Sequence, residues 1–246
     1  MIQVIILNSG TGSRMKELTQ NRPKCLVEID GEETILGRQL RIFKDFGLEN
    51  ILITTGPFAD QIADYLKRFP EKAPVSLINN PAYAQTNYIY SLILAGDYIM
   101  EKGCGEVILL HGDLVFDRVV LEQLLKADNP DLVLTNPTIE LPDKDFKATI
   151  KRGLVKKIGV DLFDEDSVFL IPFYRLSAKV FSAWLAEMKR FQAKGELTVY
   201  AENALNNLLS NLALYPVELN NEFCMEIDDC EDLEKAKNYF ARGREG

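Results

Sequence analysis

Apolar residues fall along this chain in two alternating rhythms. Short β-branched runs at residues 4–7, 50–55, 75–78 and 107–110 read as strands. Between them, apolar positions recur at helical spacing over 34–46, 58–69 and 88–100, and Gly47 ends the first of these stretches. Strand and helix alternating in this way predict an α/β fold with a mostly parallel wound sheet and helices on both faces. Such sheets bind ligands at the carboxyl ends of their strands.

After about residue 140 the rhythm changes. Residues 146–151 and 154–158 alternate around Arg152-Gly153, which predicts a β-hairpin. A strand over 167–176, helices over 178–191 and 201–209, a strand over 214–219 and a closing helix over 231–241 follow. No linker rich in Pro, Gly or Ser interrupts these parts, and no repeat appears. The expected organisation is one domain over 1–246, with residues 140–200 contributing a small substrate-facing lobe.

Composition narrows the choice of partner. Twenty-eight basic against thirty-seven acidic residues give a net charge of −9, which repels a polyanion and argues against nucleic-acid binding. A phosphate-bearing substrate then needs locally placed cations or a bridging metal. The four cysteines form no C-x-x-C pair and the chain has one histidine, so neither a structural metal nor a disulfide framework is expected. The first strand runs straight into a glycine loop without a basic leader, which predicts a cytoplasmic protein. The longest apolar stretch, 88–99, is broken by Ser91, Gly96 and Asp97, so no membrane span is expected.

Three constellations carry candidate chemistry. In Gly10-x-Gly12-x-Arg14, the glycines let backbone N–H groups approach a phosphate, and Arg14 and Lys24 supply charge. This loop is neither a dinucleotide fingerprint, which needs glycine where Ser13 stands, nor a Walker loop, since Gly-Lys-Ser/Thr never occurs. Gly112-Asp113 closes an apolar strand, where a carboxylate can hold Mg²⁺ or simply cap a turn. Glu226-Ile227-Asp228 alternates, so two carboxylates are expected on one strand face with a cation between them. Asp229 should point away, with Asp232 capping the last helix.

The order of these elements resembles the sugar-phosphate nucleotidyltransferase superfamily. The heptad Thr86-Asn87-Tyr88-Ile89-Tyr90-Ser91-Leu92 is similar to the loop-helix of bacterial phosphocholine and 2-aminoethylphosphonate cytidylyltransferases. The resemblance implies a Rossmann-like fold and transfer of CMP from CTP to a small phosphorylated or phosphonylated acceptor, with release of pyrophosphate. By family position Leu7, Asn8, Ser9, Gly10, Thr11, Gly12 and Ser13 line the nucleotide, Arg14 and Lys24 hold its triphosphate, and Asn87 and Ser91 lie near base and ribose. Gly112 and Asp113 complete that set. The resemblance further implies that Asp113 and Asp228 bind Mg²⁺, assisted by Glu226. Asn8-Ser9 stands where the superfamily usually has two alanines, and His111 is expected to be a hydrogen-bonded core residue.

On the acceptor side, Lys147 is expected to clamp the acceptor phosphate, as the corresponding lobe does in relatives. Phe146, Phe173, Tyr174, Trp184 and Tyr200 could cage a quaternary ammonium, with Glu202 as the nearby anion. Choline phosphate, 2-aminoethylphosphonate, inositol phosphate and a phosphorylated amino acid or amide all stay open as acceptors. A sugar 1-phosphate enzyme using UTP or dTTP and a non-catalytic nucleotide sensor are the alternatives, and the sequence says nothing of oligomeric state.

Overall fold

The structure, a computed structural model, describes residues 1–70 and 74–243. In chain order the elements are β1 (Ile2–Asn8), β2 (Glu28–Asp30), β3 (Glu33–Thr34), α1 (Ile35–Asp45), β4 (Ile51–Thr55), α2 (Ala59–Arg68) and β5 (Val75–Asn79). Next come α3 (Tyr88–Lys102), β6 (Glu106–His111), β7 (Leu114–Phe116), α4 (Arg118–Lys126) and β8 (Leu132–Asn136). The chain finishes with β9 (Lys147–Lys151), β10 (Leu154–Gly159), β11 (Ser167–Ser177), α5 (Ala178–Ala193), α6 (Ala201–Asn206), β12 (Tyr215–Glu218), β13 (Cys224–Glu226) and α7 (Cys230–Gly243).

A nine-stranded sheet runs β10-β9-β11-β6-β1-β4-β5, with β8 paired to β11 and β12. Strands β6, β1, β4 and β5 are mutually parallel in that order, as the βαβ rhythm predicts. From β5 the chain returns through α3 to β6 on the far side of β1. The strand order therefore reverses beside β1, which opens a crevice above the ends of β1 and β6.

The other half of the sheet is largely antiparallel and is organised by β11, which pairs with β6, β8 and β9. Its register against β8 shifts between Ile171 and Tyr174, around Pro172, a residue with no N–H to give the ladder. The predicted hairpin forms as β9 and β10. Arg152 (φ 54°) and Gly153 (φ 70°) both take the left-handed conformation that a tight two-residue turn requires. Through β11 it continues the main sheet as its antiparallel edge.

Alternation along β1 feeds two cores. Ile5 and Leu7 pack beneath α3 and α5 with Trp184, while Val4 and Ile6 pack on the opposite face with Phe43 and Phe116. A third, smaller core joins Met15, Val27, Ile29, Ile35, Val115, Ile227 and Leu233 and seats α7. Residues 114–136, to which the sequence pattern assigned no element, form β7, α4 and β8. Strand β7 pairs with β13, setting Glu226 opposite Leu114. Among the described residues no helix is long and apolar enough to cross a membrane.

Gly56 follows β4 at a place with no room for a side chain. A Cβ there would lie 2.3 Å from the carbonyl oxygen of Ser9, which is backbone and cannot swing aside. Gly56→Ala should therefore cost about 1–3 kcal/mol, the range for forcing atoms into a filled site. In urea titration the midpoint should fall with an unchanged slope, and an unmoved midpoint would mean that the Ser9 loop yields freely.

Candidate active site

The glycine loop leaves β1 fastened at both ends. The Asn8 N–H donates to Thr54 Oγ1 at 3.1 Å and the Ser9 hydroxyl to the same oxygen at 3.0 Å. Gly12 has φ +66°, and its carbonyl accepts the Thr19 hydroxyl at 2.6 Å. The carbonyl side of the loop is thus tied down internally.

Three distant segments then meet on one ammonium group. Lys24, on a single 3₁₀ turn over Lys24–Leu26, donates from Nζ to Asp113 Oδ2 at 2.6 Å and to Asp228 Oδ1 at 2.9 Å. Arg14 closes on the second oxygen of Asp228 at 2.8 Å while remaining 60 % exposed. Burial disfavours the Lys24 charge, but the carboxylates of Asp113 and Asp228 outweigh it and hold the ammonium above the usual lysine range. Burial likewise pushes Asp113 upward and is outweighed, chiefly by Lys24, so its carboxyl sits below the ordinary range.

Glu226 and Asp228 reach the same cleft by different routes rather than along one strand. Glu226 ends β13 and bonds His111 Nδ1 at 2.9 Å. Asp228 lies beyond the strand, its N–H donating to Asp232 Oδ2 at 3.2 Å. Asp229, not Asp232, caps α7: its Oδ1 accepts the N–H groups of Glu231 at 2.8 Å and Asp232 at 3.0 Å. Asp229 does point away from the cleft side chains, as the alternation suggested, but Asp232 is spent on holding Asp228.

His111, expected in the core, faces the cleft at the end of β6, with its ring edge-on to Tyr88 at 5.0 Å. Burial works against the imidazolium, but the hydrogen bond and charge of Glu226, with Asp113 and Glu202 behind it, raise its pKa to about 9. Burial and the nearby Asp113 and Asp228 push the Glu226 carboxyl up against that same bond. We place the proton on the imidazole, because His111 faces carboxylates from three directions. Its position at the end of a central parallel strand was the sequence signal for a site residue.

These groups line a cleft of about 850 Å³. Leu7, Asn8, Ser9, Gly10, Gly12, Arg14, Lys24, Asn87, Ser91, Asp113, Glu226 and Asp228 all border it. Thr11 is exposed outside its wall, Gly112 lies behind it, and the Ser13 side chain lies outside the described residues. Gly112 has a steric reason: a Cβ there would fall 1.9 Å from Asn8 Oδ1. Asn8 Nδ2 is sealed from solvent without a hydrogen-bond partner among the described residues, an orphan donor beside the cleft.

One end of the cleft is built around α3. Asn87 caps this helix, accepting the Tyr88 N–H at 2.7 Å, and its own backbone N–H donates to the Leu197 carbonyl at 2.7 Å. The Asn80 amide, which sequence reading passed over, donates to Ser91 Oγ at 2.9 Å and Thr86 Oγ1 at 3.2 Å. Buried at the end of β5, it ties the whole 80–91 turn together.

The acceptor-side expectations need correction. Lys147 is 0 % exposed, bonds the Val160 carbonyl and lies 4.2 Å from the Phe163 ring centre, so its ammonium is not presented to the cleft. Tyr174 and Glu202 are buried behind the wall, bonded to each other at 3.0 Å. Trp184 is core, donating to the Ala201 carbonyl, and Phe173 packs on the opposite face of the sheet against Phe116. The five aromatics therefore form no cage. Phe146 and Tyr200 do meet at the cleft, with centroids 5.0 Å apart, and Tyr88, not anticipated in this role, joins Tyr200 at 6.0 Å. Strand alternation explains the split, because neighbours such as Phe173 and Tyr174 point to opposite faces.

The donor set fits a hard divalent cation. Ligand atoms of His111, Asp113 and Glu226 lie within 4.8 Å of one another, and Asp228 converges with Asp113 on Lys24; the carboxylates supply the oxygens, and His111 could join them only after giving up its proton. The cleft is also acidic for a phosphate site: Asp113, Asp143, Asp145, Glu226 and Asp228 face Arg14, Lys24 and Lys144. Burial, and then the charge of Asp228, raise the Asp145 carboxyl. A polyphosphate entering this field needs a cation to bridge it.

The single histidine makes the His111–Glu226 pair measurable. In chelator-treated protein its imidazole should titrate near pH 9 by NMR, and Glu226→Gln should return it toward the ordinary histidine range. Because the folded value lies above the unfolded one, the imidazole's own contribution to stability is complete below about pH 6.5 and is lost as pH rises through about 9. A wild-type midpoint at or below the ordinary value would show that the proton is not held.

The chain is similar to known proteins over most of its length. The chain is 25% identical over 240 residues to the bifunctional IPC transferase and DIPP synthase of Aquifex aeolicus, covering 97% of itself but only 51% of that protein, about half its length. It is 26% identical to the choline-phosphate cytidylyltransferase of Streptococcus pneumoniae strain R6, over 95% of this chain and 96% of the relative. The solved CTP:phosphocholine cytidylyltransferase of Streptococcus pneumoniae shares the fold, with a TM-score of 0.78 at 23% identity, covering 97% of this chain and 99% of that one. Residues 4–140 match the MobA-like NTP transferase domain, so the chain belongs to that family and is by descent a nucleotidyltransferase.

Proposed function

We propose that this protein is a magnesium-dependent cytidylyltransferase that moves CMP from CTP to a small phosphorylated or phosphonylated acceptor of the choline phosphate type and releases pyrophosphate. The observation that carries the reading is the meeting of Asp113 and Asp228 on Lys24, beside Arg14 and the glycine loop. Two carboxylates 115 residues apart in sequence, gathered around one cation in a cleft of about 850 Å³ beside the glycine loop, fit phosphoryl transfer.

In this reading Asp113 and Asp228 hold Mg²⁺ with Glu226 alongside. When bound, the ion neutralises charge at the phosphorus under attack. The backbone from Leu7 to Ser13 lines the nucleotide, and Arg14 and Lys24 turn from Asp228 and Asp113 toward the triphosphate. Asn87 and Ser91, held by Asn80, meet the base and ribose. An acceptor phosphate oxygen bonds to the α-phosphorus as the bond to pyrophosphate breaks, in line and without a covalent enzyme intermediate. The attacking oxygen is already anionic, so no general base is needed. Catalysis then rests on positioning and charge placement.

Choice of CTP is supported by the 86–92 heptad and by the cytidylyltransferases among the relatives. A choline-type acceptor is supported by the aromatic wall of Tyr88, Phe146 and Tyr200 with Asp143 and Asp145 nearby, a surface suited to a cationic head group. We take residues 1–246 as a single domain working in the cytoplasm, with the 140–200 segment supplying this acceptor wall.

A pyrophosphate-release assay with each nucleoside triphosphate, Mg²⁺ and a panel of acceptors tests the reading. Release is expected with CTP and choline phosphate and is abolished by chelation. Release with UTP or dTTP and a sugar 1-phosphate alone would favour the sugar enzyme, and no release with any pair would remove catalysis. Asp113→Asn and Asp228→Asn should each lower turnover by about a hundredfold or more with unchanged circular dichroism. Near-normal turnover in either variant would take that residue out of the metal site.

A further inference from the structure

Among the described residues, Glu202 is the one buried carboxylate bordering this region that the mechanism above does not use. It is 1 % exposed, and the hydrogen bonds that hold it come from two phenols: Tyr88 donates to Oε2, and Tyr174 donates to Oε1 at 3.0 Å. No ion pair to Glu202 appears among the described residues. A carboxylate buried without a cation is costly, and a site that needed only packing there would be better served by an apolar residue. Two O–H donors do suit a carboxylate, which offers an acceptor oxygen to each, whereas an amide offers only one.

The two phenols differ in what they reach. Tyr174 is core. Tyr88 opens α3 and borders the cleft, with its ring edge-on to His111 at 5.0 Å and 6.0 Å from Tyr200. A path of contacts therefore runs from Glu202 through the Tyr88 ring to His111 and on to Glu226 at 2.9 Å. A tyrosine ring packed only by its faces can slide along the wall. One anchored at its hydroxyl is fixed in both tilt and depth.

We propose that Glu202 is a positioning residue: from behind the cleft wall it anchors the Tyr88 hydroxyl, and so sets the aromatic surface on which the acceptor lies and against which His111 is braced. This rests on the cytidylyltransferase reading for its effect on substrate, but the Tyr88 contact itself can be judged without turnover.

The test compares Glu202→Gln, Tyr88→Phe and the double variant, with choline phosphate as acceptor or, if that is inert, the panel member that releases pyrophosphate. Each single change should raise the acceptor KM about fivefold or more, with the CTP KM within about twofold, and the double variant should be no worse than either single, because both cut one path. Independent, multiplying effects, or unchanged acceptor KM values, would overturn the proposal. A second readout uses the lone imidazole at a pH well below its midpoint, where it stays protonated in every variant: Glu202→Ala should shift the His111 ring-proton resonances as the Tyr88 ring moves, whereas shifts matching wild type would overturn it. Should the wild-type protein release pyrophosphate with no pair, the enzyme reading fails, while the imidazole spectrum still decides whether Glu202 holds Tyr88. If Glu202→Ala does not fold, Tyr88→Phe supplies the same spectral comparison.

Discussion

Two carboxylates cannot share a poorly solvated cleft unless a cation stands between them, and in this protein the cation is the ammonium of Lys24. It joins Asp113, 89 residues away in sequence, to Asp228, 204 residues away. Much of the local architecture serves this meeting. Next to each charged residue sits a buried apolar one: Met15 beside Arg14, Cys25 beside Lys24, Leu114 beside Asp113 and Ile227 beside Asp228. Met15, Val115 and Ile227 all enter the small core under α7, so the charges are placed by burying their neighbours.

That arrangement also explains why the site includes the end of the chain. The β7–β13 pairing and the docking of α7 deliver Glu226 and Asp228 to a cleft otherwise built from the parallel half of the sheet. Tyr239 bonds Asp117, and Arg38 lies 4.0 Å over the Phe240 ring, so α7 is held along its length as well as by its cap. Helix α7 is thereby part of the scaffold of this cleft.

The two halves of the sheet divide the cleft between them. The parallel half ends in the glycine loop, His111 and the Asn80-bound turn, the surface proposed above for the nucleotide. The antiparallel half contributes Phe146 and Val160 from the hairpin region, and the segment before α6 adds Tyr200. A fold of this kind can keep its phosphate chemistry while changing its acceptor, because the walls belong to different stretches of chain.

Much of this was legible in the residues. Periodicity located the βαβ rhythm and the Arg152-Gly153 hairpin, since hydrophobic alternation and left-handed turn geometry are local properties. Glycine spacing, Gly112-Asp113 and Glu226-x-Asp228 marked the residues that border the cleft, because such groups are costly to place without a purpose. What the residues could not state is which side chains share a space. Lys147 and Phe146 are adjacent in sequence, yet one is sealed against Val160 and the other faces the cleft. His111 is reached by Glu226 only because β7 pairs with β13, and Glu202 acts behind the wall through a tyrosine 114 residues away. The sequence by itself determined the elements and the chemical groups, which depend on near neighbours. Tertiary structure alone decided which groups meet, because burial, register and charge pairing are settled between parts of the chain that are far apart.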